Sequence, residues 1–571
     1  MSSMGKGWQI ATAERLREAG QRAAPGLRRA GSLALAAGSW SVIPLLAGLL
    51  GSLMAVIVMI ALRLLVGTPT LPELAGERIL PLMTADQFVS MQIRFAPNSK
   101  TVPLFYALVG QFVIGILIGP LWALVARPGA NGRWPGRRAW LAAGAFALGM
   151  EALTLLLFWP VLFGNLYGYT ITDALWVNAL TTLAIFAVFM ASVALGDHWL
   201  RAAALGRWLS GAGSVGASES ASPQTVERVS GVSRREALGT LGVFALGAGV
   251  GFLATRELIV AYLARSNLSY EGMETDYAVS RATQLTPNQN FYVVSKNLLD
   301  PGVVVSDWRL ELTGLARQPR VWTYAEARAL PHETRAITLE CIANGPGGHL
   351  MSTAEFTGFT LANAIAAAGG ALPSASHVIF SGVDGYQSSL PLADLLAARA
   401  LLAYDMNGVA LPERHGYPLR VVVAGRYGEQ SPKWLTRVEL ADHPFKGLYQ
   451  SQGWYDGQIH TTSRIERPDS RRSIPLAPVT VGGLAYAGIR GVRRVEVRAD
   501  WGLSWHDATL VPPLSDQTWV YWTWQWTPPA RGQFTLIVRA TDGTGAVQIP
   551  TETSTVPNGA TGWHYVSVTV A

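Results

Sequence analysis

The sequence predicts a chain in three parts: an N-terminal α-helical transmembrane bundle, a central α+β domain and a C-terminal all-β sandwich. Three observations carry that expectation. Of the 571 residues, 50% are apolar and only 15% charged, with a positive mean hydropathy; this is more apolar than an ordinary soluble chain. Five long runs almost free of charge all lie before residue 256. Beyond about residue 266 the pattern changes to short alternating runs between turn residues, and helical patterns mix with them only as far as about 470. The expected division is 1–200 for a four-helix transmembrane domain and 201–265 for a cytoplasmic linker, an arginine motif and a fifth helix. Residues 266–470 then form the α+β domain and 471–571 the sandwich.

The uncharged runs are 30–62, 101–126, 139–172 (interrupted only by Glu151), 174–196 and 237–255. Each holds the roughly 18 apolar residues that a helix needs to cross hydrocarbon. Basic residues orient them. Lys6, Arg15, Arg17, Arg22, Arg28 and Arg29 precede the first run, and Arg127, Arg133, Arg137 and Arg138 follow the second. Arg201, Arg207, Arg228, Arg234 and Arg235 follow the fourth. The first loop mixes acids and bases, and the third, GNLYGYTIT, has no charge. The positive-inside rule therefore puts the N-terminus and the even loops in the cytoplasm, and five crossings put everything after about Leu263 outside. Net charge is +7, but the excess sits in these anchoring segments, which argues against a nucleic-acid partner.

Ser233-Arg234-Arg235-Glu236-Ala237-Leu238 follows a loose stretch, GAGSVGASESASPQ, and resembles a twin-arginine export signal, although Ala237 replaces the usual Phe. That route exports folded proteins, often with a cofactor already inserted. None of the nine histidines lies inside an uncharged run and there is no CxxCH, so the helices offer no haem ligands. One cysteine excludes cysteine-ligated iron–sulfur clusters and internal disulfides. Glu151, a carboxylate within the third run, is either a functional group or a partner for a neighbouring helix.

In the second half, WRLELTGL (308–315) alternates as a strand, YAEARALP (324–331) is a short helix, and AITLECI leads a strand into a glycine-rich turn. TLANAIAAAGG (360–370) is a helix with a glycine stop, and YPLRVVVAG (417–425) is a buried strand. In the last hundred residues VRRVEVRAD, WVYWTWQWT, QFTLIVRATD and HYVSVTVA alternate without helices. The stripe of Trp522, Trp524 and Trp526 reads as core.

Cys341, in AITLECIANGPGGHLMS, leaves three roles open: a buried apolar filler, a nucleophile with His349 or His415 as base, or one thiolate ligand to a metal whose other ligands come from a bound cofactor. Four stretches resemble the sulfite-oxidase-type molybdenum enzymes: FYVVSKN (291–297), TLECIANGPGGHLMSTAEFTGFTLANAI, YDMNGVALPERHGYPLRVVVAGRYGEQSPKWLTRVEL (404–440) and GVRRVEVRADWGLSWHDATL (491–510). The resemblance covers about 285–571. It implies a sulfite-oxidase-like molybdopterin domain followed by an Ig-like sandwich, with Cys341 as the protein's ligand to molybdenum. It also implies that His415, Arg420 and Lys433 hold the pterin and its phosphate, with Ser431 on the contributing loop and Asn290, Tyr292 and Ser381 as further contacts. Gly345, Gly347 and Gly348 would let backbone approach the cofactor closely.

Two departures bear on the substrate. Trp454, with Tyr455 beside it, stands where sulfite oxidases carry a catalytic tyrosine. The sulfite-binding arginines are missing after Cys341, and the N-terminal one falls near Ser295 or Lys296; Arg426 is one replacement. The expected function is oxygen-atom transfer on a small substrate, sulfite or a sulfoxide, outside the cytoplasmic membrane. A molybdenum–molybdopterin cofactor without haem or iron–sulfur cluster would do the chemistry, and a separate cytochrome or quinone-linked protein would exchange the electrons. The alternative is a cofactor-free, membrane-tethered binding module of the same fold; a transport role for the helices rests on Glu151 alone.

Overall fold

A computed structural model of the chain describes residues 42–84, 101–126, 134–162, 171–202, 284–297, 300–499 and 504–571, with isolated positions at 87, 90 and 256. It divides into two compact units. One gathers the long apolar helices; the other holds the segments 66–104 and 158–178 together with everything from Arg265 onward.

In the first unit four helices are long and apolar enough to cross a membrane: Val42–Leu65 (α1), Phe105–Ala126, Arg137–Phe158 and Asp173–Arg201. A short helix, α2 (Leu71–Ile79), follows α1 in the chain. The second spanning segment lies in α3 (Thr101–Ala126), the third is α4 (Arg137–Phe158), and the fourth lies in α5 (Ile171–Ala202). Small residues let three of them touch. A Cβ on Gly119 would lie 2.0 Å from the carbonyl oxygen of Pro44, and one on Gly48 would lie 2.6 Å from that of Ile116. A Cβ on Gly51 would meet Val193 at 2.6 Å. Gly115 and Gly119 form a GxxxG pair, which permits close backbone approach in apolar surroundings. Glu151 of α4 accepts a hydrogen bond from the Thr182 hydroxyl of α5 at 3.1 Å, the neighbour-helix role.

Helix ends depart from the edges of the uncharged runs. In the third run α4 stops at Phe158 and a 3-10 turn, Trp159–Val161, follows around Pro160, which cannot donate to a helical ladder. The fourth helix outlasts its apolar run, because Arg201 pairs with Asp197 one turn earlier at 2.7 Å. The fifth helix (237–255), the arginine motif at 233–238, residues 30–41 of the first run and nearly all of the 201–265 linker lie outside the described residues.

The central domain of the second unit has ten strands: β1 (Leu310–Gly314), β2 (Arg320–Trp322), β3 (His332–Glu340), β4 (Met351–Thr360), β5 (His377–Gly382), β6 (Gln387–Pro391), β7 (Leu401–Met406), β8 (Val409–Ala410), β9 (Arg420–Val422) and β10 (Leu435–Ala441). They form one sheet ordered β2-β1-β10-β5-β6 and a second ordered β3-β4-β7-β8, with β9 also paired to β7. Only β1 and β10 run parallel within the first sheet. The second sheet is buried on both faces, as its period-2 side chains show. Phe359, Leu402 and Val421 point into one core with Leu312, Phe380 and Val438 of the first sheet. Phe356, Leu401 and Val422 point into another with Phe291, Tyr292, Leu350 and Cys341.

Eight further strands follow: β11 (Thr462–Arg467), β12 (Val479–Tyr486), β13 (Val492–Ala499), β14 (His506–Asp507), β15 (Thr509–Leu510), β16 (Val520–Trp526), β17 (Gly532–Asp542) and β18 (His564–Val570). They make two four-stranded antiparallel sheets, β11-β12-β16-β15 and β14-β13-β17-β18, around one apolar core. β11 pairs with β12, so residues 462–467 belong to this C-terminal domain rather than to the segment ending at 470. Trp522 is fully buried and Trp526 nearly so; Trp524 is half-buried and stacks on His506 at 5.3 Å. The two domains meet at β3. Tyr486 donates its hydroxyl to the Thr338 carbonyl at 2.8 Å, and the Trp519 N–H donates to the Thr338 hydroxyl at 2.9 Å. The strand that ends beside Cys341 is therefore held from both sides.

Candidate cofactor site

Cys341 follows β3 directly, and its N–H donates to the Leu350 carbonyl at 2.9 Å, closing the loop 341–350 back onto β4. Buried Asn344 holds that loop: its amide donates to Glu340 at 2.8 Å, and its oxygen accepts from the Leu350 N–H at 2.9 Å. Two of the glycines that follow, Gly347 and Gly348, permit close protein contacts. A Cβ on Gly347 would lie 2.3 Å from His564 of the C-terminal domain, and one on Gly348 would lie 2.5 Å from Asn344. Buried Arg464, also from the C-terminal domain, donates to the Gly348 carbonyl.

Cys341 is buried, and burial pushes its thiol up to about 12, with the Glu429 carboxylate adding to the effect. An isolated thiolate is therefore unfavourable there; a bound cation would stabilise it. Tyr292 is buried nearby, its ring stacked on Phe291 and its N–H donating to the Ser352 hydroxyl at 3.1 Å. Its phenol is pushed well above the ordinary tyrosine range, first by burial and then by the charge of Cys341, while Arg420 pulls the other way. Tyr292 thus lies within electrostatic reach of both the thiol and the cationic group.

That cationic group converges on Gly416, whose φ of +111° only glycine adopts easily. A Cβ there would lie 3.0 Å from the Lys433 Cβ and 3.1 Å from the Arg420 Cβ. Arg420, at the start of β9, donates to the His415 carbonyl at 3.0 Å, and Lys433 donates to the Arg414 carbonyl at 3.0 Å while lying over the Trp434 ring. Neither forms an ion pair among the described residues. Burial pulls Arg420 down to about 10 and Lys433 down to about 8. The His415 ring nitrogen Nε2 donates to the Asn288 carbonyl at 2.9 Å, and burial lowers its imidazole to about 4, so it is neutral at physiological pH. The Ser431 hydroxyl accepts from the Val423 N–H at 3.1 Å and shapes the loop that carries Lys433.

The remaining expected residues are spread wider. Asn290 lies half-buried in the 3-10 turn Asn288–Asn290, next to the carbonyl that fixes His415. Ser381 is on β5 in the other sheet, where its hydroxyl accepts from Gln387 at 3.0 Å. Trp454 stacks on Tyr449 at 4.2 Å, and Tyr455 packs against His460 and Tyr427. Both lie against the apolar cluster that contains Ile342, the neighbour of Cys341. Arg426 is engaged with Asp394 at 2.6 Å and with the Asp456 carbonyl.

Sequence reasoning passed over Glu429. It sits half-buried in the 3-10 turn Gly428–Gln430, with both carboxyl oxygens shielded from solvent and no hydrogen bond to either among the described residues apart from help from its own N–H. Burial pushes it up to about 8. The signal was an acid inside GRYGEQSPKW, a loop otherwise suited to an anion. Arg464 and His564 were also missed, because their closeness to the glycine turn is created by domain packing.

The set fits a phosphate-bearing metal cofactor. Buried Arg420 and half-buried Lys433 donate to main-chain carbonyls and form no ion pair among the described residues, a costly state that a bound anion relieves. Among the described residues no group of three His, Cys, Asp or Glu could hold a metal, so Cys341 would be a single protein ligand.

The family description "Oxidoreductase molybdopterin binding domain" matches residues 298–449, and "Mo-co oxidoreductase dimerisation domain" matches 456–571. Sulfite oxidase from Gallus gallus is 31% identical over 314 residues, 46% of this chain and 68% of that protein. Mitochondrial sulfite oxidase from Mus musculus is 30% identical over 46% of this chain and 57% of its own length. The chain thus spans little more than half to two thirds of these relatives. Among solved structures, the sulfane dehydrogenase SoxCD from Paracoccus pantotrophus is similar at 24% identity and a TM-score of 0.44, covering 50% of this chain and 84% of that one.

Proposed function

The chain belongs to the sulfite-oxidase-type molybdopterin oxidoreductases, and from that premise we propose that it is a membrane-anchored oxygen-atom-transfer enzyme whose catalytic domains lie outside the cytoplasm. The observation that carries the site is the pair of adjacent cations, buried Arg420 and half-buried Lys433, which donate to main-chain carbonyls and form no ion pair among the described residues. When bound, the molybdenum cofactor supplies two-electron oxygen-atom exchange with a small substrate, sulfite or a sulfoxide. The residues of the chain do the rest. The Cys341 sulfur would hold the metal. Arg420 and Lys433 would hold the phosphate end, and neutral His415, fixed on Asn288, adds no competing charge. Tyr292 is within electrostatic reach of both Cys341 and Arg420, and Ser431 keeps the Lys433 loop in shape. Asn290 and Ser381 are further pterin contacts. Trp454 and Tyr455 wall the substrate side and exclude water. Arg426 would reach substrate only by leaving Asp394.

Four spanning helices support a multi-pass anchor in the lipid bilayer. The segment after α1 contacts the cofactor domain, Glu77 accepting from Lys296 at 2.7 Å. By the distribution of arginines that segment is an outside loop, which supports an extracytoplasmic catalytic half. The twin-arginine-like motif agrees with this side. The C-terminal pair of sheets is read as an Ig-like sandwich, and electrons pass to or from a separate cytochrome or quinone-linked protein.

The test uses the purified full-length protein with two assays: sulfite-dependent reduction of a cytochrome, and reductant-driven turnover of a small sulfoxide. Activity in one fixes the direction. Activity in neither, with no molybdenum in the protein, would instead favour the cofactor-free binding module.

A further inference from the structure

Helix α2 is specified by its own sequence. The Thr70 hydroxyl accepts from the Glu73 N–H at 3.3 Å while the Glu73 carboxylate accepts from the Thr70 N–H at 2.7 Å, a reciprocal cap, and Pro72 opens the first turn. A 3-10 turn, Leu80–Leu82, continues it. Both elements touch the cofactor domain. Lys296 donates to Glu77 at 2.7 Å, and the Gln452 amide, two residues before Trp454, donates to the Leu80 carbonyl at 2.5 Å.

Lys296 is the centre of this contact. Its side chain is 6% exposed, against 32% for Glu77. It also donates to Asn297 and to the Asp384 carbonyl, each at 3.1 Å, and lies 3.9 Å from the Asp384 carboxylate. Asn297 donates to that same carboxylate at 2.8 Å. Burial alone would favour loss of the Lys296 proton, but Glu77 and Asp384 outweigh it and hold the ammonium above its ordinary value. The Asp384 turn in turn lies on the cradle. The Val383 N–H donates to the Trp434 carbonyl at 2.8 Å, and a Cβ on Gly382 would lie 2.7 Å from the Lys433 carbonyl oxygen. Contacts therefore run without a break from Glu77 through Lys296 and Asp384 to the backbone at Lys433.

We propose that segment 70–82, between the first two membrane helices, is a working part of the cofactor domain, and that Glu77 is a positioning residue for the Lys433 side of the cradle. The inference rests on the reading that Lys433 holds the cofactor. Breaking a buried ion pair by removing one partner is strongly unfavourable. Without Glu77, Lys296 is drawn out toward water, and the Asp384 charge is left uncompensated beside Lys433. That negative charge competes with the phosphate for the Lys433 ammonium. The cofactor domain thus keeps a complete anion site only while its own membrane loop is docked.

Charge reversal tests this on the full-length protein in detergent, comparing wild type with E77K, K296E and the double variant E77K/K296E. Molybdenum and pterin per chain are measured after dialysis, together with thermal unfolding of the extramembrane half. Each single reversal should lose at least half of the bound cofactor and melt roughly 4 °C or more below wild type. The double variant should recover most of both, and E77D should hold cofactor better than E77Q. Single variants matching wild type, or a double variant no better than the worse single, would overturn the proposal. A wild type free of molybdenum and pterin would remove the cofactor reading itself; the melting series would then still decide whether the loop is docked through this pair.

Discussion

Arg420 turns its guanidinium onto the main-chain carbonyl of His415, 3.0 Å away, and onto no carboxylate among the described residues. Buried guanidiniums normally find a carboxylate or a phosphate. On the function proposed above, Arg420 with Lys433 beside it is half of a binding site whose other half is an anion.

Gly416 makes that pairing possible. A Gly416→Ala variant combines an unfavourable φ of +111° with a methyl group 3.0 Å from Lys433 and 3.1 Å from Arg420. It should cost about 1–3 kcal/mol of stability and push the two cations apart. Pterin content and melting temperature should both fall; unchanged pterin content would show that the two side chains need not converge.

The cost of holding Lys433 without its anion is visible in pH dependence. Burial lowers its ammonium to about 8, against an ordinary 10.5, although Asp300 pulls the other way. Between those values the unfolded chain keeps a proton that the folded, cofactor-free protein has released. Stability should therefore rise with pH across this window, and Lys433→Met should remove up to about 3 kcal/mol of that rise. Denaturant unfolding of cofactor-free protein at pH 8 and pH 10.5 measures it; equal slopes in both proteins would refute the assignment.

Glu429 has the opposite sign. Burial raises its carboxyl from 4.5 to about 8, so between these values the folded protein holds a proton that the unfolded chain has lost. Its effect on stability worsens as pH rises through that range. Glu429→Gln should be more stable than wild type at pH 8 relative to pH 4.5, by up to about 5 kcal/mol. The same variant should ease ionisation of Cys341, whose thiol Glu429 pushes up after burial. Alkylation of that thiol in cofactor-free protein should quicken several-fold. No change in either readout would separate Glu429 from the site.

Trp522 is fully buried between the C-terminal sheets, and its indole N–H donates to the Leu484 carbonyl at 3.1 Å. Trp522→Ala should destabilise this domain by about 3–5 kcal/mol. Trp524→Ala, at a half-buried position against His506, should cost clearly less. Equal losses would contradict the placement of the stripe.

What was legible in the sequence followed local rules. The long apolar helices are written as uncharged runs and the strands as alternation, whereas His415, Arg420 and Lys433 were reached only through the family resemblance. Helix ends were less legible, because Pro160 and the Asp197–Arg201 pair decide them rather than hydropathy. The second-domain boundary was misplaced because β11 alternates like any strand and only its partner β12 reveals its sheet. Glu429, Arg464, His564 and the Glu77–Lys296 pair were invisible for one reason. Their meaning comes from residues about 90 to 220 positions away, and no local pattern encodes such contacts.

The central claim is a single protein sulfur on molybdenum, and metal analysis of purified wild type beside Cys341→Ser tests it most directly. The account expects about one molybdenum per wild-type chain and close to none in the variant, with pterin retained through Arg420 and Lys433. Equal molybdenum in both proteins, or none in the wild type, would contradict it.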